Sequence, residues 1–208
     1  MGGGGGAGGG RQNGSQEMRL FFSRTIGLSE DGTEIPILGG ARLTGRAGRY
    51  SVGALNVQQR EQEIPTLVPS TNFTALRARR DILANSDIGV MFLNKEESGS
   101  LYNRVAGLDA NFRFGFLSVD GYAVGSASPQ SVVPGSGEAF AARGHANYQS
   151  RTWQFRGFLQ TVGERFNDEM GFVPRLGVNQ GLLFVGRTFR PAWLSKFNLR
   201  EIRPHWQM

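Results

Sequence analysis

The chain contains no cysteine, which removes disulfides and thiolate metal sites and leaves the redox compartment open. Histidine is nearly missing as well. His145 and His205 are too few and too widely spaced to form a metal site without cysteine, so neither a metal nor a cofactor is expected. Lysine occurs only as Lys95 and Lys196, and 21 arginines carry the net charge of +6. Arginine contacts phosphate well. These arginines are spread along the chain, however, without a basic stripe interleaved with aromatics, so no nucleic-acid partner is expected. No stretch approaches the roughly 18 consecutive apolar residues of a membrane-crossing helix, which excludes a helical membrane protein. No glycine run leads into Lys-Ser or Lys-Thr, so the sequence offers no phosphate-cradling loop.

What is present suffices for a fold: 39% hydrophobic and 19% charged residues in a chain of 208 suit one domain with a real core. The mean hydropathy of −0.30 is that of a water-soluble protein. A β-barrel reaches the same value, because lumen and loop residues dilute its apolar band. Residues 2–10 are glycine except Ala7, a composition that neither packs nor makes the apolar heart of a signal peptide. Residues 1–17 are therefore expected to be a disordered glycine-rich tail, and residues 18–208 to carry the fold.

The strongest signal is strict alternation of apolar and polar residues. In Val105-Ala-Gly-Leu-Asp-Ala-Asn-Phe-Arg-Phe114, one side of an extended chain carries Ala106, Leu108, Ala110, Phe112 and Phe114, and the other Gly107, Asp109, Asn111 and Arg113. Similar stretches predict strands near residues 18–27, 37–47, 49–59, 72–82, 87–95, 104–114, 117–127, 139–149, 152–163, 181–190 and 194–203. The links between them alternate between short ones (48, 83–86, 115–116, 150–151, 191–193) and long ones (28–36, 60–71, 96–103, 128–138, 164–180). Short turns on one rim and long loops on the other mark outer-membrane barrels. The expected fold is all-β: an antiparallel up-and-down barrel, or an open part of one, with about 10–12 strands.

Two hairpins fix the faces. A two-residue turn at Gly115-Phe116 pairs Phe114 with Leu117, Arg113 with Ser118, Asn111 with Asp120 and Asp109 with Tyr122. A turn at Ser150-Arg151 pairs Gln149 with Thr152, Asn147 with Gln154 and His145 with Arg156, gathering Ala146, Tyr148, Trp153 and Phe155 on the apolar side. The polar residues expected to line a lumen are Arg77, Arg79, Asp81, Asp109, Asn111, Arg113, Asp120, Arg143, His145, Asn147, Gln154 and Arg156. Strand 49–59 is less regular, since Tyr50, Val52 and Ala54 compete with Leu55 and Val57 for the apolar face.

No catalytic residue is expected. Asp109 and Asp120 lie near one another on the wet face, as glycoside hydrolysis would need, but mid-strand acids beside Arg113 and Asn111 are more simply neutralised by pairing. Glu164, Asp168 and Glu169 in the 164–180 loop can reach a cation or a sugar; solvated surface acids are the plainer reading. Arg143, His145 and Arg156 form a positive patch suited to anionic solutes or to wall rigidity alone. Gly121, Gly125, Gly144 and Gly157 lie within strands, where glycine permits bending or close packing. Phe21, Phe22, Tyr50, Tyr102, Tyr148, Trp153, Trp193 and Trp206 fall toward strand ends, as an interfacial aromatic girdle requires.

The runs Leu20-Phe-Phe-Ser-Arg-Thr-Ile-Gly27, Pro36-Ile-Leu-Gly-Gly-Ala-Arg-Leu-Thr-Gly-Arg46, Arg79-Arg-Asp-Ile-Leu-Ala-Asn-Ser-Asp-Ile-Gly89 and Gly171-Phe-Val-Pro-Arg175 resemble an uncharacterised bacterial barrel domain. That domain typically follows a family-nine carbohydrate-binding module in longer outer-membrane proteins. The resemblance extends over about residues 19–208. It implies an outer-membrane location, a lipid bilayer as partner and a link to glycan handling through an upstream module with no counterpart here; it assigns no catalytic residue. The family's barrel is larger than this chain can build, so the chain is expected to be a C-terminal part whose signal peptide and upstream strands are missing. The expected function is a structural or transport-type barrel segment without catalysis. The alternatives are a soluble β-sandwich carbohydrate-binding module or a β-rich glycoside hydrolase, both of which must turn Phe112, Phe114, Trp153 and Phe155 inward.

Overall fold

A computed structural model describes residues 18–23, 26–29, 32–63, 68–98 and 101–208. The glycine-rich tail, 1–17, lies outside the described residues. Ten strands form one sheet: β1 (Ile37–Ala47), β2 (Tyr50–Gln59), β3 (Thr71–Leu83), β4 (Ser86–Glu97), β5 (Leu101–Phe114), β6 (Leu117–Ala127), β7 (Phe140–Gln149), β8 (Trp153–Val162), β9 (Val178–Arg187) and β10 (His205–Gln207). Each pairs antiparallel with the next, in chain order, and the sheet stays open between β1 and β10. This is the up-and-down architecture that the alternation predicts.

The tight turns follow from glycine. Gly48 and Gly115 take φ of 57° and 56° at the first turn position, a backbone that side chains with a Cβ resist and that two-residue hairpins of type II′ use. At Gly115-Phe116 the observed pairs are Phe114 with Leu117, Arg113 with Ser118, Asn111 with Asp120 and Asp109 with Tyr122, as the sequence dictates. At the β7–β8 hairpin the register differs by two. Gln149 pairs with Gln154, Asn147 with Arg156 and His145 with Phe158, because Ser150 Oγ accepts from the N–H groups of Thr152 and Trp153 and so widens the turn. A shift of two leaves every side chain on its face.

Other expectations are corrected. Residues 18–23 and 26–27 form no strand, only an isolated bridge between Arg19 and Phe172. Residues 194–203 form no strand either: a short 3₁₀ helix runs over Ala192–Phe197, Asn198 takes φ of 56°, the Leu199 N–H donates to the Leu194 carbonyl, and Ile202 makes an isolated bridge to Phe189. β9 starts and ends three residues earlier than expected. The link lengths do not alternate throughout, since only residues 98–100 join β4 to β5, whereas 188–204 join β9 to β10. Ten described strands replace the eleven stretches expected, within the range of about 10–12.

The buried core is small and lies at the long-link end of one face. Val57, Phe73, Leu93, Val105, Val124, Ala141 and Val162 share that face by register, and the 163–177 link folds back over them. Phe166 and Met170, each 1% exposed, are the residues that it seats there, together with Met18. Two backbone bonds between Arg19 and Phe172, of 3.0 and 2.7 Å, and one from the Phe22 N–H to the Met170 carbonyl, 2.8 Å, fasten this plug. It also explains the irregular β2. Tyr50, Val52 and Ala54 face one way, and Leu55 and Val57 are apolar on the opposite face because the plug covers them.

Candidate functional site: a wall with a charged and an apolar face

Paired positions of an antiparallel ladder share a face, so register can be followed across the sheet. One row reads Arg79, Gly89, Asp109, Tyr122, Arg143; the next Asp81, Asp87, Asn111, Asp120, His145; a third Arg113, Ser118, Asn147, Arg156. With Arg77 one row further and Gln154 opposite Gln149, all twelve residues predicted to be lumen-facing lie on this one face.

Each carboxylate of these rows has a basic side chain beside it. Asp81 accepts from Arg46 at 2.6 Å, Asp109 from Arg77 at 2.6 Å, Asp87 from Arg79, and the Asp120 Oδ1 lies 2.9 Å from His145 Nδ1. Two of these pairs reach past a strand. Arg77 on β3 meets Asp109 on β5 across Gly89, where a Cβ would stand 2.6 Å from Asp109 Oδ1 and 2.9 Å from an Arg77 nitrogen. Glycine at 89 opens the passage for the pair. Asp109 and Asp120 are thus held by separate bases, on adjacent rows of the face. Arg143 and Arg156 lie over the rings of Phe158 and Phe184, at 5.6 and 5.8 Å. Arg113 and Arg156 have no carboxylate partner among the described residues.

At the plug the sequence reading misses most of the chemistry. Of the three loop acids, Glu169 is 2.7 Å from Lys95 Nζ and Asp168 is buried at 7% exposure, so two of them are not solvated surface groups. Asn103 organises the seat. Its amide nitrogen donates to the Asn167 carbonyl and to Ser128 Oγ, each at 2.9 Å, and its amide oxygen accepts from the Glu169 N–H at 3.1 Å. Burial pushes the Asp168 carboxyl up to about 7, helped by the charge of Glu169 and opposed by backbone N–H groups of Met170 and Gly171. The Met170 N–H reaches Oδ1 at 3.2 Å, while Oδ2 has no hydrogen-bond partner among the described residues. The signal available in the sequence was Phe166 and Met170, two large apolar residues flanking Asn-Asp-Glu in a link otherwise polar enough for the surface.

The opposite face is apolar and uncovered. Leu43, Leu108 and Leu159 are 66%, 64% and 74% exposed, too open for the inner surface of a sandwich. Toward the long links it ends at a polar row of Asn56, Thr74, Asn94 and Arg104, joined by an Asn56–Thr74 bond of 2.8 Å and an Arg104–Asn94 bond of 3.1 Å. Toward the short turns it ends in aromatics. Trp153 stacks on Phe155 at 5.5 Å, Phe155 lies 5.9 Å from Tyr148, and Phe116 meets Tyr148 edge-on at 6.4 Å. Arginines lie over this rim, Arg80 at 5.3 Å from the Tyr50 ring and Arg187 at 4.8 Å from Trp153. Trp193, expected in the girdle, sits instead in the 3₁₀ helix. Among the described residues no group of His, Asp and Glu is placed to hold a metal ion, and no helix is long and apolar enough to cross a membrane. Comparison with protein-family models, with curated proteins and with solved structures finds no match to this chain.

Proposed function

We propose that this chain is a wall segment of an outer-membrane β-barrel, serving as a structural element or as the lining of a transport path, without catalysis of its own. One observation carries the reading: a single sheet has an uncovered apolar face, bounded by a polar row and an aromatic row, opposite a face of paired charges. A lipid-facing belt needs the first property and a water-filled interior the second. The dimensions agree. From Ala106 to Phe114 on β5 the apolar side runs eight residue steps, about 27 Å along the strand. A strand tilt of 35–45° reduces this to about 20 Å of height, close to the ~25 Å apolar band of such barrels.

The charge pairs favour a rigid wall over a reactive cleft, since every acid in the rows named above is held by a base. A spanning wall also requires its edges to be paired, β1 and β10 with each other or with further strands. The link to a carbohydrate-binding module rests on the sequence resemblance alone. Expression behind a signal sequence, with fractionation and gels of unheated and boiled samples, tests the proposal. The expected result is extraction only by detergent and a band that migrates differently before heating. Recovery as a water-soluble monomer without detergent overturns it.

A further inference from the structure

The apolar face is not smooth. A cavity of about 730 Å3 opens on it, in the size range of small-molecule sites, with an apolar wall. Its floor is the row Ala110, Gly121 and Gly144, and Phe112 and Tyr50 stand at its margin. Small residues thus form a trough where the neighbouring rows carry Val90, Leu108 and Val119. At Gly144 an added Cβ would meet nothing within 4 Å, so the trough is open down to the backbone.

Register shows where the trough leads. The row Tyr50, Arg80, Ile88, Ala110, Gly121, Gly144 begins at the first residue of β2, on the short-turn rim, and reaches the middle of β7. From Arg80 to Gly144 it crosses four strand spacings, about 19 Å. Half of a ~30 Å hydrocarbon core traversed at about 45° is a path of roughly 21 Å. The small-residue floor covers two of those spacings, and the cavity as a whole, from Arg80 past Ile88 to Gly144, has the length of one acyl chain entering from the short-turn side.

Arg80 supplies the charge at its mouth. The guanidinium lies over the Tyr50 ring on the apolar face, exposed and without a carboxylate partner among the described residues. A cation at the rim of a lipid belt reaches outward for the interface and for phosphate there. Resting on the barrel reading, we infer that the trough binds one anionic glycerophospholipid, with an acyl chain along Ala110, Gly121 and Gly144 and its phosphate on Arg80.

The test refolds the full chain into vesicles of equal phosphatidylcholine and phosphatidylglycerol, extracts it in mild detergent and counts co-purifying lipids by native mass spectrometry. Wild type is expected to retain one phosphatidylglycerol. Arg80→Gln is expected to lower that occupancy at least tenfold, and Gly144→Leu, which fills the trough without a backbone clash, to abolish it. Arg113→Gln on the charged face is expected to leave it unchanged. Equal retention of both lipids, or equal retention by wild type, Arg80→Gln and Gly144→Leu, overturns the site while leaving the barrel wall intact. A chain that folds in water and does not enter the vesicles overturns both.

Discussion

Gly89 stands between Arg77 and Asp109, and the absence of its side chain lets a pair on β3 and β5 meet across β4. The guanidinium is 37% and the carboxylate 24% exposed, so the pair is partly screened and contributes about 1 kcal/mol or less. Gly89→Val is expected to force the two apart and to cost about that much, part of it offset by the better strand propensity of valine. Once Arg77→Ala has removed the pair, the same change is expected to be near neutral. Urea midpoints of the two single variants and the double variant in micelles give the coupling; additive costs would refute the bridging role. Period-two alternation alone placed Arg77, Asp109 and the other ten residues on one face. It did not give the partners, because a pair that skips a strand depends on stagger and on which residue lies between. The pairing of Arg46 on β1 with Asp81 on β3 was hidden in the same way.

Among the elements, the β5–β6 hairpin was legible residue by residue because a two-residue turn leaves one register. The β7–β8 turn was not, since Ser150 holds extra residues in the loop through its hydroxyl. The 163–177 link was the largest surprise: alternation describes strands and says nothing about a loop that folds back onto them. Its docking carries a pH dependence. The Asp168 carboxyl is ordinary in an undocked loop, near 3.8, and pushed up to about 7 when buried. Below about pH 4 both states are protonated and docking is strongest. Between pH 4 and 7 only the undocked carboxyl ionises, so docking weakens, and above 7 it stays at its weakest. A three-unit difference is worth about 4 kcal/mol at the limit. Protection factors of the amides of residues 166–172 are therefore expected to fall from pH 5 to pH 7.5 and then level off. Asp168→Asn, which keeps an acceptor for the Met170 N–H, is expected to hold them high throughout. A profile of the variant that still falls with pH would assign the dependence to another group.

For the whole molecule, the decisive property is that one sheet has two faces needing different solvents. Its buried core lies at the plug end of the charged face, so the opposite, apolar face gains nothing from internal packing. Leu108 makes this measurable. It lies near the middle of β5 and is 64% exposed. In a water-soluble sheet, Leu108→Arg at such a position changes stability by no more than about 0.5 kcal/mol. At the centre of a lipid belt the same change costs about 2–4 kcal/mol, and less toward either rim. Leu108→Arg is therefore expected to lower folding stability in phosphatidylcholine vesicles by that larger amount. Asn147→Arg, on the charged face of β7, is expected to cost less, because its side chain points to the side where Arg113, His145 and Arg156 already reside. Unfolding titrations in vesicles compare the two directly. If Leu108→Arg is the milder change, the apolar face does not meet lipid.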